Sequence, residues 1–183
     1  MKEVLAFVLE QINDEWDRLL REFVQISPEA FTWQPDPNLH SISWHVRHVI
    51  EWRYALVHAL ILRQPNQEKL YCLGWETDPV VQKLAANPGV WYEPKFTVGE
   101  NVQFADRIRG ITNAEIAGLH PARFSEEIVF PWKPGRVLDE IAEELRHSAL
   151  HRGHVQELKK LYARRGGQSG HRVIGSSGDR VIG

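Results

Sequence analysis

The chain has 183 residues, 43% of them hydrophobic and 25% charged, with a formal net charge of -2. That length supports one domain with a full core, and the near-neutral charge excludes the broad basic field that nucleic-acid binding needs. A single cysteine, Cys72, excludes an internal disulfide.

The N-terminal stretch MKEVLAFVLEQIND carries Glu3 and Glu10 and no long apolar run, so it does not read as a signal peptide. No stretch approaches the roughly 18 apolar residues of a membrane span; YALVHALIL is the longest candidate and contains a histidine. A cytoplasmic location is the expectation.

Four segments carry helical periodicity. In the first, residues 2–26, Val4, Leu5, Val8, Ile12, Trp16, Leu19, Leu20 and Phe23 recur at spacings of three and four. SPEAFTWQPDPN is expected to stop it, because its three prolines cannot continue a helix. The second helix is expected over 41–63, with Ser41 or Ser43 as N-cap. Here Arg47, Glu51 and His58 share a narrow polar face, with Val49, Leu56 and Leu60 opposite. Residues 64–96 are broken by Pro65, Pro79, Pro88, Gly89 and Pro94 into a long connection, with a short helix expected near 78–86.

The third helix runs from Thr97 to Leu119, and Thr97 with Glu100 has the form of a capping box. HPARFSEEIVFPWKPG reads as an extended arm or hairpin. The fourth helix is expected over 136–165, ended by RRGGQSG. Residues 166–183 are rich in Gly and Ser and contain RVIG twice, which reads as a tail with little to bury. The expected architecture is all-α: a four-helix bundle over 1–165 with a long crossover between helices 2 and 3. Such bundles build metal sites from side chains on facing helices.

The chemistry concentrates in HSALHRGHVQEL, where His147, His151 and His154 stand at spacings of four and three. On a helical wheel Glu144 and His151 fall with the apolar Val137, Ile141 and Val155, and His147 sits at the edge of that stripe. A buried polar group needs a partner or a metal, and imidazoles one turn apart can converge on one ion. The spacing alone fits a solvated histidine cluster as well, and does not choose which two of the three bind. A third ligand has to come from another helix. SISWHVRHVIEWR offers His45 and His48, both on stripes that reach the interior.

WHVRHVIEWR followed roughly 100 residues later by LRHSALHRGHVQEL resembles the DinB superfamily of small helical bundles. The W-H-x-x-H form is also similar to the DinB-like domain of ergothioneine-pathway sulfoxide synthases. The resemblance places the metal ligands on His48, His147 and His151. His154 stands where the family usually has Gln, and His45 is not the family's ligand position. It implies a divalent ion, Zn²⁺ or Ni²⁺, with coordination left open for substrate. Glu144 and His154 are then candidates for orienting the ligands or moving a proton. Trp44 and Trp52 lie within reach of the site, and Arg53 on the inner side of its helix calls for a carboxylate, a substrate anion or a snorkelling path to water.

The relatives so implied include bacillithiol S-transferases and mycothiol-dependent maleylpyruvate isomerase. The leading expectation is therefore a metal-dependent enzyme that transfers a low-molecular-weight thiol to an electrophile. The alternatives are a metal-dependent hydrolase and a non-enzymatic, stress-associated metal-binding module. A homodimer is expected, with no nucleic-acid or membrane partner. Glu144-x-x-His147 is half of a di-iron carboxylate motif, but no second copy exists in the sequence. Cys72, among apolar neighbours in KLYCLGW, reads as a small buried hydrophobe.

Overall fold

A computed structural model describes residues 2–37, 39–56, 96–129 and 134–168. Four long helices dominate it. They are α1 (Lys2–Phe23), α3 (Ile42–Ala55), α4 (Val98–Gly118) and α5 (Val137–Gln168), with a short α2 (Pro28–Thr32) between the first two. Helices α1 and α3 each pack against both α4 and α5. The cyclic order around the bundle is thus α1, α5, α3, α4, with α1 and α3 at opposite corners. The all-α bundle expected from periodicity is the architecture found. The 64–95 connection, the helix near 78–86, Cys72, His58 and the tail beyond 168 lie outside the described residues.

The apolar stripes explain the packing. Ile12, Trp16, Leu19 and Phe23 of α1 meet Val46, Val49 and Ile50 of α3, Ala105, Ile108 and Ile116 of α4, and Val137, Ile141 and Val155 of α5 in one core. Removing these side chains from water is the main stabilising term for such a bundle. Polar bonds stitch the α1–α5 seam: Arg152 pairs with Glu15, and Gln156 and Lys159 both donate to Glu22 at 2.7 Å.

Helix α1 ends at Phe23, three residues before the expected boundary, and α2 was not anticipated. Its origin is local. Ser27 accepts from the Ala30 amide at 3.2 Å as N-cap, and Pro28 occupies the first helical turn, where a missing N–H costs nothing. Phe31 is then buried and stacks on Phe23 with centroids 5.8 Å apart. The proline-rich stretch thus starts a helix as well as stopping one.

The 120–135 arm contains a 3-10 helix (Pro121–Ser125) and an antiparallel pair, β1 (Glu127–Val129) with β2 (Pro134–Arg136). The Val137 amide donates to the Glu126 carbonyl at 3.1 Å, which joins this hairpin directly to the start of α5.

The polar face of α3 that carries Arg47 and Glu51 is buried. Arg47 is 0% and Glu51 8% exposed. Their side chains pair at 3.1 Å, and the Arg47 guanidinium lies over Phe96 and Phe104. A helix covered on both flanks buries its polar stripe too, which a single-helix wheel does not register.

Candidate metal centre

Ser41 caps α3, accepting from the Trp44 amide at 3.1 Å, and this sets the register of everything that follows. One turn in, His45 and His48 point from α3 toward α5, where His147, His151 and His154 line the facing stripe. The rings interleave. Centroid separations are 4.9 Å for His154–His45, 5.1 Å for His45–His151, 4.8 Å for His151–His48 and 5.0 Å for His48–His147. Numbers rise along α3 as they fall along α5, so the two helices run antiparallel and the imidazoles form a zigzag ladder between them.

His48, His147 and His151 are brought together, as their place in the two motifs implies. One ring nitrogen from each lies within 4.8 Å of the other two, and the Nε2 atoms of His48 and His147 are 3.2 Å apart. Ligand nitrogens 2.0–2.1 Å from a tetrahedral Zn²⁺ would stand about 3.3 Å from one another. His147 Nδ1 is buried without a partner among the described residues. The donor set and its spacing therefore fit one divalent ion.

Burial is the first cause that holds these rings neutral, and neighbouring imidazoles are the second. The pKa falls to about 4 for His48 and His147 and about 2 for His151. His45, in the same ladder, falls to about 3 for the same reasons. Neutral imidazoles keep a lone pair available, the form in which histidine binds metals.

Two indoles wall the centre. Trp44 stacks on His48 with centroids 4.7 Å apart and an interplanar angle of 10°, and Trp52 lies 4.6 Å from His147. His40, which the sequence reading passed over, stacks on the far face of Trp44 at 3.4 Å. The available signal was its place one turn ahead of Trp44, in LHSISWH.

Among the described residues Glu144 bonds to no imidazole. Its carboxylate accepts from Trp16 Nε1 and Ser148 Oγ, both at 3.0 Å. Burial raises its pKa to about 7 against the pull of nearby Arg53. Arg53 is itself buried, with its guanidinium over the Trp16 ring and bonded to Thr112 at 2.7 Å and Asn113 at 2.5 Å. Of the alternatives expected for Arg53, a carboxylate, a substrate anion or a path to water, the structure provides the nearby Glu144 carboxylate together with these polar partners. His154 is exposed and faces His45 and His151 rather than His48.

The class of protein defined by this arrangement is a helical bundle with a histidine centre between two facing helices. The DinB superfamily model matches residues 11–155, and the chain belongs to that superfamily. A similar solved structure is that of a conserved protein from Enterococcus faecalis. The two share 14% identity at a TM-score of 0.62, over 86% of this chain and 96% of that one, a likeness of fold. No curated protein matches the chain.

Proposed function

We propose that the protein is a divalent-metal-dependent enzyme that transfers a low-molecular-weight thiol to an electrophile, with His48, His147 and His151 as the metal ligands. The observation that carries the metal reading is the 3.2 Å approach of two neutral imidazole nitrogens from different helices, with a third within 4.8 Å. A Zn²⁺ or Ni²⁺ ion bound there supplies Lewis-acid activation of a thiol at neutral pH.

The chain's own residues do the rest. His48, His147 and His151 would hold the ion, and a three-imidazole donor set is that of a catalytic rather than a closed structural site. Trp44 and Trp52 fix the planes of His48 and His147 by ring contact and screen them from water. Membership of the DinB superfamily supports the thiol chemistry by likeness.

Elemental analysis of the purified protein tests the first half: one equivalent of Zn²⁺ or Ni²⁺ is expected in the wild type, and a large loss in His151→Ala. A panel of electrophiles offered with and without added thiol tests the second. Metal-dependent turnover only with thiol is expected; ester or amide turnover without thiol would move the assignment to a hydrolase, and no turnover to a binding protein.

A further inference from the structure

The centre described above uses three rungs of the histidine ladder, and His45 and His154 remain. His45 Nδ1 lies 2.8 Å from His151 Nδ1. One ring nitrogen each from His45, His151 and His154 falls within 4.8 Å of the other two. Set against the roughly 3.3 Å between ligand nitrogens on a tetrahedral ion, small side-chain adjustments bring all three onto one cation. His154 can supply them, because it is exposed.

This end of the ladder also differs in its surroundings. His45 and His154, together with His40, line a surface pocket of about 260 Å³ whose remaining wall includes Leu39, Leu158 and Leu161. A cation held by His45, His151 and His154 is thus reached from this pocket, beside apolar side chains.

We propose that His45, His151 and His154 form a second cation site, for imidazole-preferring ions such as Zn²⁺, Ni²⁺ or Co²⁺, that shares His151 with the first. A neutral imidazole has one lone pair, so a neutral His151 serves one ion at a time. The two positions therefore compete, and an ion can pass between them by exchanging two ligands while His151 stays bound. The site stands on residues separate from the catalytic reading, apart from the shared His151.

Co²⁺ titration followed by its ligand-field absorption tests this. In a folded His48→Ala/His147→Ala protein the first centre keeps only His151, and about one equivalent of Co²⁺ is expected to bind. Adding His154→Ala or His45→Ala to that background should weaken binding at least about tenfold. Absence of Co²⁺ binding in the folded double variant, or binding indifferent to His45 and His154, overturns the second site. If the alanine pair does not fold, His48→Gln/His147→Gln retains the bulk and polar atoms and is read the same way. The reciprocal His45→Ala/His154→Ala protein reports on the first centre alone, so loss of one site is told apart from loss of the other. Wild type should saturate at one equivalent; two equivalents would overturn the competition for His151.

Discussion

Glu144 shows how far a single side chain can stand from the role its position suggests. One turn before His147, it is a natural candidate to orient an imidazole, yet it is 3% exposed and bonded to Trp16 and Ser148. Burial raises its pKa from 4.5 to about 7. Between those values the folded protein holds a proton that the unfolded chain releases. Its contribution to stability is therefore full below about pH 4.5 and is lost as pH rises through 7. Glu144→Gln keeps an acceptor for the Trp16 indole and removes the buried charge. Its stability relative to wild type should rise by up to about 3 kcal/mol between pH 4.5 and 7.5, read from urea unfolding at both pH values. A difference that stays constant would show that Arg53 offsets the burial in full. At the same scale, truncating Arg47 breaks its buried pair with Glu51, and Arg47→Ala should cost about 3–5 kcal/mol by the same measurement.

Among the helices, α4 was the most legible in the sequence. Thr97 accepts from the Glu100 amide at 3.2 Å, and the Glu100 carboxylate returns to the Thr97 amide at 2.8 Å, the reciprocal box expected from those residue types. Thr97→Ala should lower stability by about 1 kcal/mol, seen as a lower urea midpoint with unchanged slope. Helix α5 was nearly as plain in its periodicity. Helix α2 was not, because it is too short to show a period, and its start depends on Ser27 and Pro28 acting together. The burial of Arg47 and Glu51 was hidden for another reason: a wheel describes one helix, and this stripe is covered by side chains from a different part of the chain. The histidine stripes themselves were legible at spacings of three and four. Their antiparallel interleaving, which makes a ladder of two stripes, is a property of how α3 docks on α5.

For the molecule as a whole, the four depressed histidines act together and with the opposite sign to Glu144. Their folded-state values, from about 2 to about 4, lie below the ordinary 6.5. The unfolded chain therefore binds more protons in acid. The stability linked to these rings is fully present above about pH 6.5 and drains away as pH falls toward the folded values. With four such groups against one glutamate, the chelator-treated protein should show a urea midpoint that drops steadily from pH 7 to pH 4; a level midpoint would mean that the rings are far more hydrated than their burial implies. At neutral pH, added Zn²⁺ or Ni²⁺ should raise the melting temperature in proportion to the logarithm of free ion, because only the folded state assembles the ligands.

The imidazoles that meet across α3 and α5 are far apart along the chain: His45 and His151 are separated by 106 positions, and His48 and His147 by 99. Closing contacts of that span is slow compared with forming either helix. A nascent polypeptide leaving the ribosome displays the first histidines long before it has synthesised their counterparts. The centre can consequently be completed only once the final helix has been made and has docked on α3.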